Sequence, residues 1–320
     1  MAIPGWTKTE SPFHAGELAI QSRLNVQTQI DRQGRRSIRE YLPEQFRRFF
    51  AKLPYVTVGT VDAMGNPWAS ILVGELGFLS TPNEYTLSVK AAPLPGDPLA
   101  TTLASGIDIG FLGIELHTRR RNRINGVVTT AHAEGFEVKV RQSFGNCPQY
   151  IQARTSELYA LGLETSRTIS EISVLSEKEK TLITSADTFF IATAYQADTA
   201  GVASGVDVSH RGGKPGFIRI DGDHILTVPD FAGNRHYNTF GNLEVNPRAG
   251  LLFIDFTQGD LLYLTGVANV IWEGPEISEF EGAERLMRFH LTRGYRVENS
   301  LPLRWSAPVF SPFLEHTGSW

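Results

Sequence analysis

The sequence predicts a mainly β protein, with two tandem β-barrels and helices at their periphery. The same order of elements occurs twice, and the 320 residues exceed the usual size of one hydrophobic core. The apolar segments are short and rich in Val, Ile, Leu and Phe, which is typical of buried strands. Glycine, proline, asparagine and aspartate separate these segments at the close spacing of a small closed or nearly closed barrel.

Both halves of the chain follow the order helix, then strand. Residues 20–42 are charged and helical, and we expect them to wrap the outside of the first barrel. Residues 42–62 combine an amphipathic helix with a strand, and residues 176–195 repeat this order, with Ser176 and Glu179 spaced as a capping box. Three further pairs of segments match at a spacing of 139 to 140 residues. They are 85–99 with 224–237, 106–115 with 246–255, and 121–130 with 261–270.

A polar stretch joins the two halves. Residues 155–180 have no dense apolar pattern, so we place the domain boundary there, with one domain over 1–165 and a second over 166–320. The first domain includes the helical N-terminal arm, and the second includes a C-terminal tail. Residues 281–308 predict a helix followed by an extended tail rich in Trp, Pro and Phe.

Composition excludes several classes of function. A formal net charge of −4 gives no broad cationic surface for nucleic acid. One cysteine allows no intramolecular disulfide and no multi-cysteine metal site, and the eight histidines form no HExxH motif, so we expect no metal. The N-terminus lacks a signal-peptide pattern, and no stretch reaches the roughly 18 apolar residues of a membrane span. We therefore expect a cytoplasmic protein that binds neither nucleic acid nor membrane.

The segment "AGNRHYN" (232–238) lies between two predicted strands, where the chain is about to start a short helix. Free backbone N–H groups and a guanidinium can face the same anion at such a place. Gly233, Asn234 and Arg235 are the candidates. The first half has Asp97 and Pro98 at the position that we match to Asn234 and Arg235, and these residues cannot hold a phosphate.

A second basic turn supports the same site. Residues 205–217, "GVDVSHRGGKPGF", present Ser209, Arg211 and Lys214 directly after a strand, whereas the first half has Glu75 near the place of Arg211. One anion site per chain is the economical interpretation, with Ser209, Asn234 and Thr227 as its uncharged hydrogen-bonding groups. The alternative is that these arginines are solvated turn residues without a ligand.

Residues 205–270 carry a Ser-x-Arg-Gly turn, a strand with a Thr, a basic loop before a helix, and then Asn-Pro-Arg-Ala. This combination resembles the pyridoxamine 5′-phosphate oxidase-like family of FMN-binding split barrels. The resemblance implies two tandem FMN-binding split barrels, of which the first is degenerate. It also implies that the flavin lies between two barrels, supplied either by a homodimer or by an intramolecular pseudo-dimer.

The resemblance also assigns roles to individual residues. Ser209, Arg211, Asn234 and Arg235 would hold the FMN phosphate, and Thr227 would lie beside the flavin or its ribityl chain. The contribution of the first half would come from residues 141–154, "RQSFGNCPQYIQAR". Within that segment the candidates are Gln142 and Ser143, with Asn146 and Gln149 behind them, although the segment is equally consistent with a plain loop.

The implied activity is that of an FMN-dependent oxidoreductase with a small-molecule substrate or electron donor and a possible redox partner. Vitamin B6 chemistry is doubtful, because "RLMRFHLTR" (285–293) only faintly matches the C-terminal substrate pattern of the genuine oxidases. A non-catalytic flavin- or haem-binding carrier or sensor is one alternative, and a deazaflavin enzyme of the same fold is another. The basic run "HTRRRNR" (117–123) is predicted to be a solvated hairpin turn, and Cys147 a small apolar residue rather than a nucleophile.

Overall fold

The computed structural model describes residues 5–159, 167–196, 201 and 203–320. Strand is the main regular secondary structure of these residues and lies chiefly in two antiparallel sheets, so the prediction of a mainly β protein is confirmed. The helices of the described residues are α1 (Ala15–Arg23), α2 (Gln27–Ser37), α3 (Glu44–Phe50), α4 (Leu99–Thr102), α5 (Glu177–Ser185), α6 (Asn238–Val245) and α7 (Pro275–Ser278).

The first sheet has seven strands, and its pairing order along the sheet is β2-β1-β5-β6-β7-β4-β3. Its strands are β1 (Tyr55–Val61), β2 (Pro67–Val73), β3 (Leu79–Asn83), β4 (Thr86–Val89), β5 (Asp108–Glu115), β6 (Arg120–His132) and β7 (Gly135–Gly145). Two short strands follow, β8 (Ser156–Leu158) and β9 (Ile169–Ile172).

The second sheet has eight strands, in the order β11-β10-β14-β15-β16-β13-β12, with β9 added on β16. Its strands are β10 (Thr188–Tyr195), β11 (Gly205–Gly212), β12 (Arg219–Asp221), β13 (Ile225–Asp230), β14 (Arg248–Ile254), β15 (Leu261–Ile271) and β16 (Arg285–Val297). A further strand, β17 (Leu303–Trp305), pairs with β8.

The two sheets share one topology. If β10 to β16 are renumbered from one to seven, the order of the second sheet becomes that of the first. The ladders also match in register, so individual residues can be paired between the halves. Equivalent residues are Val58 and Ile191, Ser70 and Ser209, Phe111 and Leu251, and Arg123 and Tyr263. The repeat predicted from the sequence is therefore present in the structure.

Each sheet curls around its own apolar core. Val58, Phe111 and Phe136 belong to the first core, and Phe189, Phe253 and Phe289 belong to the second. Among the described residues no pairing joins β2 to β3, or β11 to β12, so neither sheet closes completely. The predicted barrels are thus open along one edge.

A third apolar cluster lies between the sheets and includes Trp68, Leu112 and Tyr263. The sheets approach each other closely at two equivalent glycines. A Cβ on Gly110 would lie 2.3 Å from the carbonyl oxygen of Val206, and a Cβ on Gly250 would lie 2.3 Å from that of Pro67. Because each half presents the same strands to the other, the two halves of one chain pack as a pseudo-dimer.

The N-terminal arm packs differently from our expectation. We expected it to wrap the outside of the first barrel, and α2 does place Ile30 in a cluster with Phe144. Helix α1 instead packs against α6 of the second half. A Cβ on Gly16 would lie 2.0 Å from the carbonyl oxygen of Gly241, so this crossing needs a glycine.

The prediction of a helix within 281–308 is wrong, because residues 285–297 form strand β16. Met287, Phe289 and Leu291 are buried, while His290 and Thr292 are exposed, so the apolar period is two. Strands β13 and β15 flank β16 on either side and stabilise it by ladder pairing.

The proposed domain boundary between 165 and 166 lies outside the described residues. No helix among the described residues is long and apolar enough to cross a membrane.

Candidate functional site

A cavity of about 120 Å³ lies between the two halves. Its first-half wall comes from β6 and from the segment after β7, and its second-half wall comes from β11, from the loop before α6 and from the start of α6. Five arginines line the cavity, against two carboxylates, so its walls carry excess positive charge. The arginines are Arg121, Arg123, Arg211, Arg235 and Arg285, and the carboxylates are Asp230 and Glu284.

The two carboxylates are already engaged. Arg211 and Arg285 donate to opposite oxygens of Asp230, the latter at 2.9 Å, and Arg285 also donates to Glu284 at 2.5 Å. Burial raises the pKa of Asp230, although both arginines oppose the shift. Arg211 also lies over the ring of Phe240, at 4.7 Å from its centre. These contacts fix the Arg211 guanidinium against the start of α6.

Arg123 crosses from the first half to the second. It is buried, and it donates to Ser209 Oγ, to Asp207 at 3.4 Å and to Asn238 Oδ1 at 3.4 Å. Thr239 Oγ1 donates to the same Ser209 oxygen at 3.0 Å. Burial lowers the pKa of Arg123, and Asp207 opposes the shift. Ser209, Arg123 and the first turn of α6 therefore converge on one wall of the cavity.

The start of α6 has no side-chain cap. Its N-cap residue, Tyr237, has a left-handed backbone with φ +63°, and its side chain accepts no hydrogen bond from the helix. The first N–H groups of a helix have no partner within the helix. Because Asn238, Thr239 and Phe240 line the cavity, these donors and the positive end of the helix dipole lie beside it.

The equivalent place in the first half is filled by Asp97. Its carboxylate accepts hydrogen bonds from Ser70 Oγ at 2.5 Å, from the Leu99 N–H at 2.8 Å and from Tyr263 Oη at 3.1 Å. Leu99 is the first residue of α4, and Ser70 and Tyr263 are the register equivalents of Ser209 and Arg123. A tethered anion thus occupies the first-half counterpart of the α6 site.

The strand pairing also corrects the residue match that we made between the loop before α4 and the loop before α6. Thr86 of β4 is equivalent to Ile225 of β13, and α4 starts 139 residues before α6, so the two connections have equal length. The counterpart of Arg235 is therefore Gly96 and not Pro98, and both have a left-handed backbone, with φ +59° and +81°. Asp97 corresponds to a position two residues beyond the one that we predicted.

Four of the seven residues predicted for the cofactor line this cavity. They are Ser209, Arg211, Asn234 and Arg235, and Asn146 and Gln149 line it as well. Asn234 Nδ2 donates to Asn146 Oδ1 at 2.9 Å, which joins the two halves across the cavity. Arg235 is exposed and makes no hydrogen bond or ion pair with another described residue. Its guanidinium is free to bind a ligand.

The other three predicted residues do not line the cavity. Thr227 is buried and donates to Asp221 at 2.9 Å. Gln142 donates to the carbonyl oxygen of Pro12 at 3.0 Å, and Ser143 donates to that of Tyr41 at 2.5 Å. The last two bonds hold the N-terminal arm on the first half. Lys214 also lies outside the cavity and donates to the carbonyl oxygen of Thr317.

The prediction that 117–123 is a solvated turn is wrong for two of its residues. Residues 120–123 of the run belong to strand β6, and Arg121 and Arg123 both line the cavity. Arg120, the first residue of the strand, is exposed. Arginines at positions 121 and 123 share one face of a strand, so the period of two could have indicated this arrangement. Nothing in the local pattern indicates that this face turns towards the second half.

The N-terminal arm contacts the first residue of α6, at the edge of the site. Asn238 Nδ2, at the start of α6, donates to Glu17 Oε1 at 2.5 Å. Burial raises the pKa of Glu17 to about 8, and nearby Asp207 adds to the shift. His14 caps α1 through its own side chain and stacks on Tyr195. Helix α1 therefore fixes the first residue of α6 through a carboxyl group that is protonated at neutral pH.

Aromatic rings complete the cavity. The rings of Tyr150 and Phe231 lie 5.0 Å apart, and both residues line it, together with Tyr237 and Phe240. Cys147 also lines the cavity, and its Sγ lies 3.0 Å from Gln149 Oε1. Cationic donors and aromatic faces together suit an anionic ligand with a planar ring.

No family model matches this chain, and no curated protein matches it. Several solved structures are similar to part of it. HupZ of Group A Streptococcus is 14% identical over 40% of this chain and 97% of its own, with a TM-score of 0.32. A "putative pyridoxamine 5′-phosphate oxidase" of Lactobacillus delbrueckii is 13% identical over 38% of this chain and 94% of its own, with a TM-score of 0.30.

An FAD-binding protein of Mesorhizobium loti is 13% identical over 40% of this chain and 97% of its own, with a TM-score of 0.26. These three proteins each match about two fifths of the chain. At such low identities and TM-scores the likeness carries no argument about ligand or activity, so the functional argument depends on the chain's own residues.

Proposed function

We propose that this protein is an FMN-dependent oxidoreductase that anchors the flavin phosphate at the start of α6. The observation that carries the proposal is the uncapped first turn of α6, beside Ser209 and Arg123, where the first half places the Asp97 carboxylate. In this proposal the two halves share one anion position. The Asp97 carboxylate fills it in the first half, and the phosphate of FMN fills it in the second half.

A phosphate monoester suits this wall better than a carboxylate. A phosphate carries up to two negative charges and three acceptor oxygens. The first turn of α6 supplies backbone donors, Ser209 supplies a hydroxyl whose oxygen accepts from Thr239, and Arg123, Arg211 and Arg235 supply positive charge. The identification of the phosphate as that of FMN follows from the resemblance of residues 205–270 to FMN-binding split barrels.

The remaining cavity would receive the ring of the flavin. Tyr150 and Phe231 present aromatic faces there, and planar rings pack well on such faces. When bound, FMN supplies the two-electron chemistry itself. The chain's own groups bind the phosphate, orient the ring and exclude water. The substrate in this proposal is a small molecule, with a separate electron donor or redox partner.

The pseudo-dimer supports one site per chain. Both walls of the cavity come from the same chain, so a second copy is not required to complete it. The proposed domains, 1–165 and 166–320, would each supply one wall. Asp97 removes the second, symmetry-related position, which is why the proposal has one FMN per chain rather than two.

Affinity for FMN and for riboflavin tests the proposal, because riboflavin lacks only the phosphate. We expect the purified protein to bind FMN at least a hundredfold more tightly than riboflavin, at one equivalent per chain. Stopped-flow mixing of the loaded protein with NADH or NADPH then tests for reduction of the flavin. Equal affinity for FMN and riboflavin would refute the phosphate anchor, and tight FMN binding without reduction by any donor would refute the enzyme.

A further inference from the structure

Three side chains of the wall that the first half contributes to the cavity have donor groups that no described residue fully satisfies. We call Arg121, Asn146 and Gln149 the donor wall, and all three line the cavity. Arg121 Nε donates to the carbonyl oxygen of Cys147 at 2.7 Å, and this is the only hydrogen bond of the Arg121 side chain to a described residue. No carboxylate of a described residue forms an ion pair with it, although the side chain is only half-exposed.

The electrostatic state of this wall is unusual. Burial lowers the pKa of Arg121 to about 9, and the neighbouring Arg123 adds to the shift. His210, which is 6% exposed, also lines the cavity and has a buried Nε2 without a partner. Burial and then Arg121 hold the pKa of His210 well below its usual range, so the ring is neutral. No carboxylate of the part of the chain that the structure describes is paired with Arg121, and among its neighbours Cys147 opposes the lowering of its pKa.

The two amides of the donor wall are also incompletely bonded. Asn146 accepts from Asn234 through Oδ1, but its buried Nδ2 has no partner. Gln149 Oε1 is engaged by Cys147, which leaves its Nε2 without a bond to a described residue. Asn146 Nδ2 is the buried donor among them, and a buried donor without an acceptor is costly and is rarely kept without a ligand or water. An acceptor-rich group would satisfy all three side chains.

We propose that the donor wall is a second anion subsite, and that it binds the carboxylate or phosphate of the substrate that reacts beside the flavin. This inference rests on the proposed function, because it takes the α6 wall to be filled by the phosphate of FMN. The phosphate of FMN would be held by the second half together with Arg123, and the second anion by the donor wall, which lies wholly in the first half. The substrate class is therefore a small oxyanion, either a carboxylic acid or a phosphate ester.

The subsite is tested with acetate and with inorganic phosphate as separate probes, on FMN-loaded protein. Binding is followed by the change in flavin absorbance at constant ionic strength, because chloride and bulk salt compete for exposed arginines. Wild-type protein is compared with Arg121→Gln, with Arg121→Lys as the conservative variant, and with Arg120→Gln as the control. Arg120 is exposed and does not line the cavity, so its substitution removes the same charge nearby.

We expect Arg121→Gln to weaken the tighter probe at least tenfold, Arg121→Lys to recover part of the loss, and Arg120→Gln to have no effect. FMN affinity should stay within threefold in all three variants. Tighter acetate indicates a carboxylic acid substrate, and tighter phosphate indicates a phosphate ester. Equal probe affinity in wild type and Arg121→Gln would overturn the inference, and so would a parallel loss of FMN, which would place Arg121 at the cofactor phosphate.

A cofactor-free titration separates this inference from the proposed function. Calorimetry with inorganic phosphate should show two bound phosphates per chain in wild type and one in Arg121→Gln. If no flavin binds to any variant, the proposed function fails, but this stoichiometry still reports on the donor wall. One phosphate in both proteins would overturn the second subsite even where FMN binds.

Discussion

Replacing Arg235 by glutamate tests the anion site with little risk to the fold. Arg235 is exposed and makes no hydrogen bond or ion pair with another described residue. Its backbone is left-handed, with φ +59°, and glutamate tolerates that conformation no worse than arginine does. Exposed substitutions away from special contacts usually change stability by less than about 0.5 kcal/mol. A change in ligand binding would therefore report on the ligand and not on unfolding.

The expected effect on binding is large. A hydrogen bond to a charged group contributes about 1.5–3 kcal/mol, and about 1.4 kcal/mol corresponds to a tenfold change in affinity. Neutral Arg235→Gln should therefore weaken FMN about ten- to a hundredfold. In Arg235→Glu a repulsion is added to that loss, so the affinity should fall by about a thousandfold, and the purified protein should retain no FMN.

The assay is the dissociation constant of FMN by flavin fluorescence, at low and at moderate salt. Arg32→Glu is a matched control, because Arg32 is exposed on α2 and does not line the cavity. We expect the control to match wild type, and the salt dependence of FMN binding to weaken in Arg235→Gln because one fewer charge faces the phosphate. An FMN affinity within threefold of wild type in Arg235→Glu would refute the site assignment.

Three other changes test the surrounding architecture. Asp97→Ala should leave FMN retention intact but lower the unfolding free energy by about 1–3 kcal/mol in urea titrations, because the Ser70 and Tyr263 hydroxyls lose their acceptor. Wild-type stability should fall as pH rises from about 4.5 to about 8, because folded Glu17 keeps its proton up to a pKa of about 8, and Glu17→Gln should abolish that part of the pH dependence. Gly250→Ala should cost about 1–3 kcal/mol and also weaken FMN, because the new Cβ would lie 2.3 Å from a backbone oxygen of the other half; unchanged stability would contradict the packing described here.

The duplicated fold was predictable because its signals are local. Short apolar runs, the Ser176 capping box and the loop before α6 each depend on a few adjacent residues, and all three are present in the structure. The same local reasoning gives the wrong prediction for residues 285–297, which form a strand and not a helix. Their Arg and His residues mimic a charged helix, and the pairing with two long-range neighbours that makes them a strand is invisible locally.

The second-half wall of the site could be predicted, but in the first-half wall only Asn146 and Gln149 were predicted, and the arginines of β6 were not. Ser209, Arg211 and Arg235 lie in two turns whose composition differs from that of the other half. Arg121 and Arg123 lie on a strand, and only the packing of the halves turns that face towards the cavity. Gln142 and Ser143, placed at the site by resemblance, hold the N-terminal arm instead.

The visible absorption spectrum of the freshly purified protein, with the mass of any released small molecule, tests the central claim most directly. We predict a flavin spectrum and release of one FMN per chain, or stoichiometric uptake of added FMN by cofactor-free protein. A colourless protein that fails to take up FMN at micromolar concentration would contradict the account, because the uncapped start of α6 and its arginines would then have another purpose.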